Sequence, residues 1–409
     1  MSNKAENKMV ASAEKSPLVP KRRFPEFQDA GKWQIQPFRK LFSIGNGRDY
    51  KHLAMGNVPV YGSGGYMLSV DECLYNGESV CIGRKGTINN PMFLTGKFWT
   101  VDTLFYTHSF NGCLPKFIFA IFQGIDWLKH NEAGGVPSLS KANIEKIKVA
   151  VPKSTEQQKI IDCLASIDDL NTLEAQKLAT FKTLKKGLMQ QLFPTEGKTL
   201  PQLRFPEFRD AGDWKEKRLE SFATIVRGGS PRPIDEYITN AANGLNWLKI
   251  GDIDKESKFV RSTEAKVIPA ALTKTRVVNP GDLILSNSMS FGRPYILEIS
   301  TCIHDGWIAV SEIDKSIDRD YLYYLMMTSA SQTYFSNNAA GSGVQNLNAD
   351  IIKLLPVLFP DKKEQEKIAD CLSSLDELIA TQTHKLDALK IHKKSLMRQL
   401  FPMLGEVDA

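Results

Sequence analysis

The chain has 409 residues, 52 Lys and Arg against 46 Asp and Glu, and a formal net charge of +6. That length predicts two or three domains, and 42% apolar with 24% charged residues is the composition of a soluble globular protein rather than a disordered or fibrous one. No window holds the roughly 18 uncharged apolar residues of a membrane span. No apolar run follows the N-terminal lysines as a secretory signal requires, and the six cysteines show neither CxxC nor metal-ligand spacing. A reducing cytoplasm is therefore expected.

Residues 1–23 are polar and lysine-rich and read as a disordered tail. FPEFQDAGKW follows from Phe24 to Trp33 and opens a block that ends at 153. In that block YGSGGY (Tyr61–Tyr66) is a glycine-rich loop. SVCIG (79–83) and FWTVDTLFY (98–106) read as strands from their β-branched and aromatic content, with GRKGTINN (Gly83–Asn90) as the turn between them. VPSLSKANIEKIKVAVP (136–152) fits a short helix followed by a buried strand. A long helix spans 154–194, and a polar linker with Gly and Pro spans 195–204. FPEFRDAGDW, from Phe205 to Trp214, opens a second block that ends at 361. Its expected strands are WLKIGDI (247–253) and GDLILS (281–286), with SNSMSFGRP (Ser286–Pro294) as the following loop, and HDGWIAV (304–310) repeats the aspartate-plus-tryptophan theme of WTVDTLF. A second long helix spans 362–402, and 403–409 is a tail.

The two halves are copies. Residues 151–194 align without a gap on 359–402 at an offset of 208, and 22 of the 44 positions are identical. The FPEF motifs are offset by 181, so the second block is 27 residues longer. In both helices the apolar residues keep a 4–3 rhythm: Ile160, Leu164, Ile167, Leu178, Phe181, Leu188 and Leu192, then Ile368, Leu372, Leu375, Ile379, Leu386, Leu389, Leu396 and Leu400. A seam repeating every 3.5 residues is what paired helices of a coiled coil require. Asn171, Glu174, Lys185, Gln382 and Lys393 interrupt it. Ser154 with Gln157, and Asp361 with Glu364, have capping-box spacing. Pro194 and Pro402 stop the helices, which at 1.5 Å per residue would run roughly 55–60 Å. Cys163 and Cys371 are equivalent in the repeat, which favours packing over chemistry.

Catalytic motifs are poor. GKT (Gly197–Thr199) resembles the end of a phosphate-binding loop, but Leu192 stands where the loop needs its first glycine. NPMF (Asn90–Phe93) departs from the Asn-Pro-Pro-aromatic motif of amino-methyltransferases at Met92, and a turn is expected there. The histidines are scattered, and no carboxylate–lysine cluster suits a metal-dependent nuclease. Polar and basic loops remain. GRKGT presents Arg84, Lys85 and Thr87 at a glycine turn where backbone can approach phosphate, and Tyr61 and Ser63 lie in the second glycine-rich loop. Lys249, Ser286, Asn287, Ser288 and Arg293 form the counterpart, and Asn346 and Asn348 align with Ser138 and Ser140. Arg, Asn and Ser are residue types that read base edges.

From about Phe24 to Pro402 the chain resembles the specificity (S) subunit of a Type I restriction-modification system. The resemblance rests on the two FPEF…W starts, on KSTEQQKIIDCLASID and KKEQEKIADCLSSLDE, and on the helix ends LKKGLMQQLFP and HKKSLMRQLFP. SVCIGRKGTINN with FWTVDTLF, and WLKIGDID with PGDLILSNS, support it. It implies an α+β fold in which two α/β target recognition domains (24–153 and 205–361) are separated by two conserved helices forming an antiparallel coiled coil. Each domain would read half of a split DNA site. Two modification subunits would dock on the helices and methylate adenine, and two motor-nuclease subunits would join for restriction. The S subunit itself would catalyse nothing, leaving S-adenosylmethionine, ATP and Mg to the partner subunits. Two other classes stay open on the residues alone: a tandem scaffold whose blocks bind peptides, and a hidden nuclease or methyltransferase.

Overall fold

The structure is a computed structural model that describes residues 19–254, 256–287, 291–339 and 347–402. It forms two compact units: residues 19–175 with 384–402, and residues 176–383. Both boundaries fall inside the long helices, so each unit holds one block, the start of one helix and the end of the other.

In the first unit β1 (Gln34–Pro37) pairs antiparallel with β10 (Lys148–Val151), bringing the two ends of the block together beside α1 (Phe38–Leu41). One antiparallel sheet has the order β2 (Ser43–Asn46), β9 (Leu104–His108), β6 (Ser79–Gly83), β7 (Met92–Leu94). The other has the order β4 (Gly65–Val70), β3 (Met55–Gly62), β8 (Lys97–Thr100), β5 (Tyr75–Asn76), with β3 and β8 parallel. All five residues of β6 are buried. Val80 and Ile82 face the core formed with Phe117 of α2 (Pro115–Gly124), while Cys81 faces Phe98 and Leu104. A strand covered on both faces reads as an unbroken apolar run, which is what SVCIG is. The short α3 (Lys141–Lys146) precedes β10.

The second unit repeats this topology on unlike sequence. β11 (Lys215–Arg218) pairs with β21 (Pro356–Phe359). β12 (Thr224–Arg227), β20 (Trp307–Ser311), β17 (Leu283–Ser286) and β18 (Pro294–Leu297) follow the order of the first sheet. β15 (Ala265–Val267), β13 (Leu245–Leu248), β19 (Thr301–Ile303) and β16 (Arg276–Val278) follow the second, with β13 and β19 again parallel. Much of the extra length lies between β13 and β15. Ser63 and Gly64 alone join β3 to β4, whereas residues 249–264 join their counterparts and add β14 (Phe259–Val260) as a fifth strand beside β18. Helices α5 (Arg319–Met327), α6 (Ser329–Asn338) and α7 (Ala349–Lys353) complete the unit.

The long helices are α4 (Ser154–Leu192) and α8 (Lys362–Leu400), 39 residues each. In the first unit Ile160, Ile161 and Leu164 of α4 share a core with Leu396 and Leu400 of α8. In the second, Leu192 of α4 shares one with Ile368 and Leu372 of α8. The helices run antiparallel in both units, because Asp168 pairs with Lys393 and Glu174 with Lys385 in one, and Lys185 with Asp376 in the other. At the repeat offset of 208, Asp168–Lys393 and Asp376–Lys185 are one ion pair made twice. Three polar interruptions of the seam, Glu174, Lys185 and Lys393, are therefore partners across it. Ile160, Leu164, Leu192, Ile368, Leu372, Leu375, Leu386, Leu396 and Leu400 are buried, and Ile167, Leu178, Phe181, Leu188, Ile379 and Leu389 are half-buried.

Four expectations need correction. No capping-box bond is found among the described residues: α8 begins after Asp361, the cap as read, whereas α4 begins one residue before its reading, after the equivalent Lys153 rather than after Ser154. The side chains are used elsewhere. Glu364 receives Nε and Nη2 of Arg204 at 2.7 and 2.8 Å, as Glu156 receives those of Arg23 at 2.7 Å each. Gln157 accepts from Leu114 N–H and donates to the carbonyls of Gly112 and Pro152, and Gln365 does the same with Asp318, Ser316 and Pro360. Second, Arg22 and Arg23 belong to the fold rather than to the tail: Arg22 N–H donates to Gln399 C=O at 3.0 Å. Leu203 N–H donates to Gln191 C=O at 2.9 Å in the equivalent place. Third, FWTVDTLFY is two strands in different sheets, β8 and β9, broken at Val101–Thr103. Fourth, WLKIGDI leaves the strand after Leu248 and continues as a 3-10 turn over Ile250–Asp252.

The break between β8 and β9, and the equivalent one between β19 and β20, each explain a glycine. A Cβ on Gly47 would lie 1.9 Å from the Val101 carbonyl oxygen, and one on Gly228 would lie 2.1 Å from that of His304. Each sits after the first sheet strand, where backbone crosses backbone. Gly47→Ala should destabilise the first unit by about 2 kcal/mol or more, since backbone on both sides must shift. Gly64→Ala, which meets nothing within 4 Å, should cost much less. Urea unfolding of both variants measures the difference.

Candidate nucleic-acid interface

In the first unit the loop after β6 is held by backbone on two sides. Arg84 N–H donates to the Thr103 carbonyl at 2.8 Å, and Arg84 C=O accepts from Leu139 N–H at 2.9 Å. Gly86 N–H donates to the Pro137 carbonyl at 2.9 Å, and Lys85 bridges to Ser138. Gly86 has φ +91°, and a Cβ there would lie 3.2 Å from Ser63 Oγ. The hairpin tip at Ser63, the 84–86 loop and the 137–139 segment thus converge. The side chains of Arg84 and Lys85 stay exposed on this fixed backbone, and Arg84 Nη1 reaches the Asp102 carbonyl at 3.4 Å. With Asn46, Ser138, Ser140 and Lys141 they line an open cleft of about 880 Å³. A preset backbone with free cationic side chains and hydroxyls matches the way phosphates and base edges are bound.

Three of the expected residues are placed differently. Ser140 caps α3, accepting from Asn143 N–H at 3.2 Å, and its own N–H donates to the Glu132 carboxylate at 2.9 Å. Tyr61 is half-buried in the cluster with Cys81 and Phe98, with its ring 6.1 Å from that of the exposed Tyr66. Thr87 is exposed, and its carbonyl closes over Gly83, where a Cβ would lie 2.0 Å away.

The second unit places its predicted residues differently. Gly83 of β6 corresponds to Ser286 of β17, so Asn287 stands where Arg84 does. It makes the same backbone bonds, donating to Gly306 C=O and accepting from Leu347 N–H, each at 3.0 Å. Ser286 and Asn287 are buried, and Asn287 Nδ2 donates to the Asp305 carbonyl at 3.1 Å. Both side chains are thus held in the interior, contrary to expectation, although the strand ends at Ser286 as β6 ends at Gly83. Asn348 is consumed as the α7 cap, accepting from Ile351 N–H at 2.9 Å. The Arg293 guanidinium is half-buried 5.7 Å from the Tyr295 ring centre. Lys249 is exposed beside Glu264. Ser288 and Asn346 lie outside the described residues.

Residues that sequence reasoning passed over form the polar surface here. Arg227 Nε donates to the Asp305 carbonyl at 2.7 Å, Ser230 Oγ to Asp305 Oδ1 at 2.6 Å, and Arg232, 80% exposed, pairs with Oδ2 at 3.4 Å. The Ser230 hydroxyl, and then Arg227, hold the Asp305 carboxyl below its usual range despite partial burial. The available signal was IVRGGSPRP: Gly228 and Gly229 occupy the places of Gly47 and Arg48, so arginines flank the same backbone crossing in both halves. Among the described residues no group of three or more His, Cys, Asp or Glu is gathered to hold a metal, and no helix is long and apolar enough to cross a membrane.

Two α/β units of one topology, carried on a duplicated helical frame and differing in the side chains that their equivalent loops expose, define a tandem recognition protein. A family model described as the Type I restriction modification DNA specificity domain matches residues 31–183 and 211–390, and the chain belongs to that family, as a specificity subunit. Its role is therefore DNA sequence specificity in restriction-modification. It is similar to the Type I restriction enzyme MjaVIII specificity subunit of Methanocaldococcus jannaschii, 24% identical over 80% of this chain and 76% of the relative. It is also similar to the EcoDI specificity subunit of Escherichia coli, 21% identical over 82% and 79%. The crystal structure of a Type I S subunit from M. genitalium shares the fold, with a TM-score of 0.60 and 14% identity over 94% of this chain and 99% of that one.

Arg84→Ala and Lys85→Ala should each weaken DNA binding. A base contact would concentrate a loss of about 1–3 kcal/mol on one position of the site, whereas a phosphate contact would spread it over all sequences. Binding titrations against a panel of single-base variants separate the two, and no loss in either variant removes that loop from the interface.

Proposed function

We propose that the chain reads an asymmetric, split DNA site, one half per unit, and docks modification and restriction subunits while carrying out no chemistry itself. The observation that supports this is a repeat kept in the frame and abandoned at the loops. The pairs Arg23–Glu156 and Arg204–Glu364, and Asp168–Lys393 and Asp376–Lys185, are made twice, while the equivalent loop position carries Arg84 in one unit and Asn287 in the other. Like readers on a twofold frame suit a palindrome; unlike readers on the same frame suit two different half-sequences. Each unit reads about the few base pairs that a short set of loops can reach, and the helices set the unread spacing. S-adenosylmethionine, ATP and Mg are used by the partners, two modification and two motor-nuclease subunits.

The ion pairs across the seam tie one helix to the other, so the spacing test removes matching heptads from α4 and α8 together. A heptad is about 10 Å of helix, close to three base pairs of duplex at about 34 Å per ten. Methylation-site sequencing of cells expressing the shortened chain with its cognate modification subunit should show a shorter spacer between unchanged half-sequences. Altered half-sequences would refute the ruler. A peptide-binding scaffold is tested separately: binding of the purified chain to random-sequence DNA should fall steeply with salt, since phosphate contacts release counterions. A scaffold would show no such binding.

A further inference from the structure

The second unit contains a polar network that its counterpart lacks. Tyr324 of α5 donates its hydroxyl to Asp376 Oδ2 of α8 at 2.5 Å, and Lys185 of α4 pairs with the other carboxylate oxygen. Lys258 Nζ, only 9% exposed, reaches Tyr324 Oη at 3.2 Å, Ser373 Oγ of α8 at 3.0 Å and Asp320 Oδ1 of α5 at 2.7 Å. It also lies 4.5 Å from the Tyr324 ring centre. Burial alone would raise the Asp320 carboxyl, but hydrogen bonds from Lys258 and Arg319 bring it below its usual range. One buried ammonium therefore joins the 249–264 insertion, α5 and α8.

The first unit has none of the added parts. Leu114 and Asp318 hold equivalent places, since each donates its N–H to the glutamine at the start of a long helix. By that alignment Ala120 stands for Tyr324 and Lys116 for Asp320, while Ala165 stands for Ser373 at the offset of 208. Lys258 itself lies on the insertion that the Ser63–Gly64 turn replaces. What remains in common is the ion pair of Asp168 with Lys393. The second unit has extended that pair outward until it grips its recognition block. A buried, fully paired charge gives geometry more than stability, because few alternative arrangements satisfy it.

We propose that Lys258, Tyr324 and Asp376 are positioning residues that lock the second reader onto its helix pair and so determine which spacing between half-sites the protein accepts. The inference rests on the split-site reading above. The residues touch no base; they act by denying the block other orientations on α8. Lys258→Met keeps the apolar stem and removes the charge, and Tyr324→Phe removes one hydroxyl. Both are tested by methylation-site sequencing in cells with the cognate modification subunit, with thermal unfolding of the purified chain alongside.

Both half-sequences should stay unchanged while the share of methylated sites whose spacer is one base pair longer or shorter rises about tenfold, the equilibrium equivalent of losing one charge-assisted hydrogen bond. Arg261→Ala, which breaks an exposed pair with Glu298 on the same insertion, should leave the spacing as it was. Relaxation by Arg261→Ala as well, or a folded Tyr324→Phe chain that keeps the wild-type spacing or loses all methylation, overturns the proposal. Methylation of one continuous sequence in cells with the wild-type chain and its cognate modification subunit refutes the split-site reading instead, so the two failures are distinct.

Discussion

The buried bidentate pair at the start of each long helix is the constraint on which the architecture depends. Arg23 and Glu156 are 6% and 3% exposed, and Arg204 and Glu364 are 12% and 2%. Two parallel N–H···O bonds fix direction as well as distance, and removing one partner of such a pair costs about 3–5 kcal/mol. The arginine belongs to the segment that enters the block and the glutamate to the helix that leaves it. With the β1–β10 and β11–β21 pairings, this closes each block at its neck. Gln157 and Gln365 then stitch the same turn of helix to α2 and α5 through the segments before them. The interior of a block is thereby freed to diverge, since its attachment does not depend on its loops.

The frame was legible in the chain because duplication wrote it twice. A 44-residue alignment, a heptad and two stop prolines suffice to place both helices to within a residue or two. The seam polar residues were legible as exceptions but not as partners: Asp168 and Asp376 lie off the apolar rhythm, and only antiparallel pairing brings them to Lys393 and Lys185. The capping spacing misled because a glutamate at the third helical position can bond its own cap or a distant arginine, and an intruding Arg204 or Arg23 offers a charge that the cap does not.

The blocks were legible as strands and loops but not as one fold. SVCIG and GDLILS could be read from their apolar runs, yet their equivalence shows only in the backbone bonds of Arg84 and Asn287. FWTVDTLFY looks continuous because nothing in its composition reveals that Val101 yields its carbonyl to the crossing at Gly47. The interface was half legible for the same reason. Arg84 and Lys85 are exposed and Ser63 and Ser138 half-buried where the turn glycines suggested, whereas Ser286 and Asn287 have the right chemistry at a strand end that is buried. Arg227 and Arg232 were hidden because their neighbour in space, Asp305, is more than seventy residues away.

The chain ends have a larger implication. Arg22 meets the last turn of α8 by the same backbone bond that Leu203, on the uninterrupted linker, makes with the last turn of α4. The same joint is thus made once in each unit. Each half carries a helix start that seeks a helix end and a helix end that seeks a start, so one half presents every complementary surface needed to close upon a second copy.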